Sequence, residues 1–198
     1  MKKILFLSNG RGEDLVADQI IKHLPKNFEA LKISLVDDRL PSGGFAFRNF
    51  KFLLKDIQAG LMVKIIENIV QILKLRGKVN LTVAIGDLVP IIGALMVKVP
   101  FIFVGVNKSD YYRWFGFRYT PWEKWLLKNF AKKIFVRDQF TADNLNRSGI
   151  PAEYVGNPLM DCFEKIPISK PQTPNLITFG FLPGTREDAK LNLKAFEK

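Results

Sequence analysis

Residues Lys3–Leu24 read KILFLSNGRGEDLVADQIIKHL, and the change of periodicity inside this stretch decides the fold. Lys3–Ser8 is an almost unbroken apolar run, the pattern of a strand covered on both faces. It breaks at Asn9, Gly10, Arg11 and Gly12, a turn of flexible backbone. From Glu13 onward, Leu15, Val16, Ile20, Ile21 and Leu24 recur at helical spacing until Pro25 stops the helix. Ala30–Val36 reads as a second strand, with Asp37 and Asp38 just past its end. Strand, helix and strand on short connections imply a parallel pair with a crossover. The expected fold class is therefore α/β, a Rossmann-like doubly wound parallel sheet.

The alternation continues downstream. Phe45–Leu75 is one long amphipathic stretch, Leu81–Ile85 a strand ending in Gly86-Asp87, Pro90–Val97 a short apolar helix and Phe101–Val106 a strand. A loop over Asn107–Thr120 leads to a helix opened by Pro121 and reaching Phe130. Ile134–Val136, a helix over Gln139–Arg147 and Glu153–Val155 give a further strand-helix-strand repeat. Pro167, Pro171 and Pro174 then mark a linker, and Leu176–Phe181 reads as a new strand followed by a helix from Arg186. The expected organisation is a Rossmann-like domain over residues 1–164, a linker over 165–175, and over 176–198 the first strand and helix of a second domain whose remainder is missing.

Composition narrows the partners. The chain of 198 residues carries 30 Lys+Arg against 19 Asp+Glu, a net charge of +11, which favours nucleic acid, a phospholipid surface or a phosphorylated small molecule. A single cysteine, Cys162, leaves no intramolecular disulfide and no zinc cluster, and suggests a reducing cytoplasm. The opening Lys2-Lys3 and the four apolar residues after it fall short of the about 7–15 that a signal peptide requires. Leu88–Val106 is long and apolar enough to suggest a membrane span, but Pro90 and Pro100 interrupt it, and a buried helix-strand pair explains the same hydropathy.

Four groups of residues could carry chemistry. In Ser8–Asp14 the glycines allow close backbone approach to a ligand at a helix start. As a dinucleotide fingerprint the loop is defective, because Leu15 occupies the third glycine position, although Asp37 stands where a ribose-binding acid would. Glu13 and Asp14 would repel a pyrophosphate and suit a hydroxylated ligand or simple capping. Asp87, at the carboxyl end of a strand, could be a general base or the N-cap of the next helix. The amphipathic stretch presents Phe50, Leu54 and Met62 with Lys51 and Lys55, a wide apolar face with a basic rim, suited to an anionic membrane interface or a partner subunit. The aromatic and basic loop from Lys108 to Trp122 could stack sugars or bases, or sit at a headgroup layer. No nucleic-acid-binding module accompanies it, so nucleic acid is not the expected partner. His23, the only histidine, has no nucleophile to serve, so a carboxylate must do any acid-base work.

Several strings are similar to one family. Tyr154-Val155-Gly156-Asn157-Pro158-Leu159-Met160-Asp161 resembles the Gly-His-Pro-Leu-x-Asp signature of lipid-A-disaccharide synthase, and Phe181-Leu182-Pro183-Gly184-Thr185-Arg186-Glu187-Asp188 resembles its Leu-Leu-Pro-Gly-Ser-Arg-x-x-Glu. Leu40–Phe45, Ala84–Asp87 and Val104–Tyr112 look like the lipid-A-disaccharide synthase-related branch. The resemblance implies an inverting glycosyltransferase of GT-B fold without a bound metal. Its first domain would hold a lipid-linked or hydrophobic acceptor at the inner membrane face, and its second a nucleotide-sugar, expected to be a UDP-sugar. It implies Asp87 as catalytic base and an acceptor cleft lined by Asn9, Gly10, Gly12, Glu13, Asp14, Lys108, Ser109, Asp110 and Asn157. Gly184, Thr185 and Arg186 would lie on the donor side, with Arg186 stabilising the departing diphosphate. Asn157 stands where the family has His, and Ser8–Arg11 departs from the synthase loop, so the particular sugar and acceptor do not carry over. A chain without its donor domain is expected to be inactive alone; a non-catalytic acceptor-binding module at a membrane surface, or a basic nucleic-acid binder, is the alternative.

Overall fold

A computed structural model describes residues 1–35, 61–112, 118–162 and 192–195. The chain forms two compact units, Met1–Phe163 and Glu164–Lys198. In the second, the described residues are a single helical turn at 192–195. The first unit is built in the order β1 (Lys2–Ser8), α1 (Arg11–Lys22), β2 (Phe28–Ser34), α2 (Leu61–Lys74), β3 (Leu81–Ile85), α3 (Leu88–Val97), β4 (Phe101–Val104), α4 (Pro121–Phe130), β5 (Ala131–Phe135), α5 (Gln139–Arg147) and a closing 3-10 helix, Pro158–Cys162. All strand pairs are parallel and the order across the sheet is β2-β1-β3-β4-β5. The fold is a Rossmann-like α/β sheet.

The apolar run in β1 is explained by cover on both faces. Leu5 and Leu7 enter one core with Phe101, Phe103, Ile91, Val97 and Leu127, so the layer of α2, α3, α4 and α5 lies on that side. Ile4 and Phe6 enter the other with Val83, Ile85, Val16 and Ala17, against α1. The 3-10 helix returns to α1, and half-buried Leu159 adds to that second core. Sheet order reverses between β1 and β3, with β2 on one side and β3, β4 and β5 on the other. The carboxyl ends of β1 and β3 therefore flank a topological switch point, where such sheets take their ligands.

Two readings need correction. The strand read at Ile134–Val136 begins at Ala131, directly from the end of α4. Its Lys132 and Lys133 are exposed on the outermost strand, and they hid the strand pattern that edge position permits. The strand read at Glu153–Val155 is a single bridge from Glu153 to Phe135, because the chain after Val136 turns into the Asp138 cap of α5 and leaves nothing for Val155 to pair with. In α2, Ile65 and Ile69 share the helical stripe of Ile72, yet both are exposed. The inward side instead carries Asn68 and Ile72, with the Asn68 amide donating to the Leu35 carbonyl at 2.8 Å. Leu88–Val106 resolves into α3, a turn and β4, and among the described residues no helix is long and apolar enough to cross a membrane.

One packing contact behind β4 is tight enough to test. A Cβ on Gly105 would stand 2.0 Å from the buried Tyr119 hydroxyl, whose ring meets Phe103 edge-on. Gly105→Ala is expected to cost about 1–3 kcal/mol in urea unfolding, the usual range for overpacking. Tyr119→Phe in the same chain should recover most of it, because the clashing atom is the hydroxyl; an undiminished loss in the double variant would refute the contact.

Candidate functional site

The polar residues that follow β1, β3 and β4 converge at the switch point. Gly86 leaves β3 with φ +122°, and a Cβ there would come within 3.0 Å of Glu13 Cγ. That glycine lets the start of α1 close down beside Asp87. The Asp87 carboxylate caps α3: its Oδ1 accepts the Val89 amide at 3.1 Å and the Asn9 amide at 3.0 Å. Both bonds fall on one oxygen, so Oδ2 has no hydrogen bond within the described residues. Capping and base chemistry, alternatives on the sequence, are compatible in this geometry. Burial pushes the Asp87 carboxyl above its ordinary range; the Val89 amide, the Lys108 ammonium and Asn9 pull it back, while the Glu123 carboxylate pushes it further up.

Lys108 is held rather than free. Its ammonium reaches both oxygens of Glu123, at 2.6 and 2.7 Å, and Glu123 is completely buried. Glu123 also accepts the Thr120 amide and hydroxyl at 2.8 and 2.9 Å, while Thr120 accepts the Glu123 amide, a capping box that locks the start of α4. Glu123 escaped the sequence reading. Its local signal was present in Thr120-Pro121-Trp122-Glu123, but nothing local shows that the same carboxylate receives the Lys108 ammonium.

The other expected residues divide by position. Glu13 is buried and accepts the Asn107 amide, joining α1 to the end of β4. Asn9 faces Asp87, and its Oδ1 is buried without a partner among the described residues. Gly10 caps α1 through backbone alone, and the space where a Gly12 side chain would lie is open. Asp14 turns toward β2 instead, accepting the hydroxyls of Ser8 and of Ser34, the latter at 2.9 Å, and so clamps two strands. Ser109 and Asp110 seat the loop after β4 on α5: the Asp110 amide donates to Thr141 Oγ1 at 2.9 Å and the Ser109 hydroxyl takes the Tyr111 amide at 3.2 Å. Asp110 Oδ1 meets Arg118 at 3.4 Å, and its Oδ2 is buried without a partner among the described residues. Asn157 opens the 3-10 helix by accepting the Leu159 amide at 3.1 Å.

Of the expected membrane contacts, Met62 is exposed on α2, and Phe50, Lys51, Leu54 and Lys55 lie outside the described residues. So do Gly184, Thr185 and Arg186 of the donor side, and Asp37. His23 stands exposed at the end of α1 opposite Gly10, its ring against the Gln19 carbonyl. Among the described residues no group of side chains could hold a metal ion.

No protein-family model matches the chain, and no curated protein matches its sequence. Solved structures do. One is a Staphylococcus aureus MnaA–UDP co-structure, 20% identical, with a TM-score of 0.54 over 81% of this chain and 46% of that one. At that identity the likeness establishes the fold, and the chain spans less than half the length of the protein it matches.

Two outcomes follow from the site's electrostatics. Folded Asp87 holds its proton more tightly than the unfolded side chain, so the folded state binds more protons, and stability falls as pH rises from 3.8 to the raised folded value. Asp87→Asn, which keeps an acceptor for the Val89 amide, should therefore melt above the wild type at pH 7, with the gap closing below pH 3.8. A lower melting temperature at pH 7 contradicts it. Glu123→Gln should destabilise by about 3–5 kcal/mol by stranding Lys108, and adding Lys108→Met should restore much of the loss. Denaturant unfolding of the two chains decides.

Proposed function

We propose that residues 1–164 form the acceptor half of an inverting GT-B glycosyltransferase, 165–175 a linker, and 176–198 the opening of its donor half. The reaction moves a sugar from a nucleotide-sugar, a UDP-sugar by preference, onto a hydroxyl of a lipid-linked or hydrophobic acceptor at the inner face of a membrane. The observation that carries this reading is Asp87 at the switch point, with one oxygen fixed by Val89 and Asn9 and the other without a hydrogen bond among the described residues. Oδ2 takes the proton of the acceptor hydroxyl while its oxygen bonds to the anomeric carbon from the face opposite the leaving group. The bond from that carbon to the diphosphate breaks, and the nucleoside diphosphate departs with the electron pair. A carboxyl made more basic by burial is suited to that step.

Asn9 and the Lys108–Glu123 pair orient the base in this scheme, and Glu13 with Asn107 forms the opposite wall. Gly184, Thr185 and Arg186 would meet the diphosphate from the donor side. Two independent facts support the class: the string resemblance to lipid-A-disaccharide synthase and its relatives, and the fold shared with a protein solved with UDP.

In a chain that carries a complete donor half, Asp87→Asn should lower transfer by about 10²–10⁴-fold, the range for losing a positioned base. UDP affinity in the same chain, read by calorimetry, should be unchanged. Wild-type turnover in the Asn variant would remove Asp87 from the reaction, and sugar transfer by the 198-residue chain on its own would refute the division into acceptor and donor halves.

A further inference from the structure

The helix layer of α2, α3 and α4 has an outer surface that its role as cover for the sheet does not explain. The three helices are neighbours in that order, and each turns apolar residues away from the core. On α2, Val63, Ile66, Val70 and Leu73 recur at 3-4-3 spacing and are all exposed, Ile66 by 58%, while Asn68 on the opposite side is buried. On α3, Val89 and Ile92 continue the surface, Ile92 at 47%. On α4, Trp122 and Trp125 stand out at 74% and 53%. Water is a poor medium for so many exposed apolar side chains on neighbouring helices, and such clusters mark an interface.

The charges say what covers it. Residues 61–78, 88–98 and 121–130 hold seven basic side chains against Glu67 and the buried Glu123. Five of the seven gather at or past the carboxyl ends of the helices: Lys74, Arg76, Lys78, Lys98 and Lys128. On the other side of the sheet, α1 has Glu13, Asp14 and Asp18 against Arg11 and Lys22. The basic surplus thus sits on the same layer as the aliphatic and tryptophan surface. A second copy of this face would bring like charges together, and a nucleic acid would leave the aliphatic side chains uncovered. An anionic bilayer meets both needs, with indole rings at headgroup depth and lysines on acidic headgroups.

We propose that the outer face of the α2–α3–α4 layer docks on an anionic lipid bilayer. The surface extends the membrane contact expected from the sequence at Met62 onto α3 and α4. In a parallel α/β unit the amino ends of these helices open on the same edge as the strand carboxyl ends. Trp122 and Val89 therefore border the cleft that holds Asp87, so a lipid-linked hydroxyl would enter from the bilayer side. That last step rests on the glycosyltransferase reading; the docking does not.

The test is flotation of the 198-residue chain with vesicles of phosphatidylglycerol and phosphatidylcholine at low salt. Co-flotation is expected, weakened by raised salt and by pure phosphatidylcholine. Trp122→Ser with Trp125→Ser, and separately Ile66→Ser with Val70→Ser, should each lower partitioning by at least about tenfold, because apolar contact is lost. These positions are exposed, and an unchanged melting temperature will show that the variants fold. Lys22→Gln with Lys26→Gln, outside this layer, should float like the wild type. Absence of flotation on anionic vesicles at low salt overturns the proposal. So does binding that depends on salt but ignores the Trp and Ile variants, and so does a concentration-dependent dimer that the same variants dissolve. Asp87→Asn should float normally, so a failed transfer assay leaves the docking standing. Failed flotation with intact transfer to a soluble acceptor would leave the enzyme standing.

Discussion

The parallel pairing of β1 with β3 is the contact on which the arrangement depends. A crossover between parallel strands is right-handed almost without exception, so the connection from β1 to β2 puts α1 on one face of the sheet. Strands β3 to β5 lie on the other side of β1, and their helices pack against the opposite face. The two sets of loops part above the β1–β3 seam, and the space between them is the crevice. Asn9 enters it from one side and Asp87 from the other, and their 3.0 Å hydrogen bond closes its floor. No special catalytic loop is required to put a carboxylate there; the handedness of the chain does it.

Placing that carboxylate in a partly buried crevice works against stability. Desolvation disfavours the ionised form of Asp87, and Glu123 adds like-charge repulsion. The opposing positive charge is Lys108, which is itself fixed by Glu123. Lys108 therefore stabilises two carboxylates from one position, and the capping box of α4 holds the one it touches. A side chain chosen only for stability at Asp87 would be Asn or Ser, either of which caps a helix without a buried charge. An acid at this position fits the base role proposed for it, at a cost the fold tolerates.

What could be read from the sequence follows how local each feature is. Helices α4 and α5 and strand β3 were legible to the residue, because Pro121, the spacing of Ala142 and Leu145, and the run Leu81–Ile85 are signals confined to the element itself. Strand β5 was half hidden, since an edge strand can carry Lys132 and Lys133 where a central strand cannot. The inward side of α2 runs against its own periodicity. Periodicity favours the more apolar stripe as the core, and here the core accepts Asn68 because the Leu35 carbonyl needs a donor. At the site, Asp87 could be found from its place after a buried strand. Glu123 could not, since its importance depends on Lys108, and that contact exists only after the loop behind β4 folds back onto α4.

The inverted polarity of α2 connects the interior to the surface. A helix that spends an amide on its inner side and leaves Val63, Ile66 and Val70 outside has its apolar moment pointing away from the sheet. Folding of the unit alone would favour the reverse orientation, in which those side chains replace Asn68 against the core. The orientation observed is held by the Asn68 bond and by Ile72, and the exposed apolar side chains remain a cost to the isolated chain. Val89 and Ile92 on α3 and the two tryptophans on α4 repeat that cost on adjacent helices, which argues for one common cause rather than three separate accidents. A surface that gains by leaving water at all three helices relieves it. The amino ends of those helices lie at the rim of the Asp87 crevice, so the relief and the proposed chemistry occur on the same edge of the sheet.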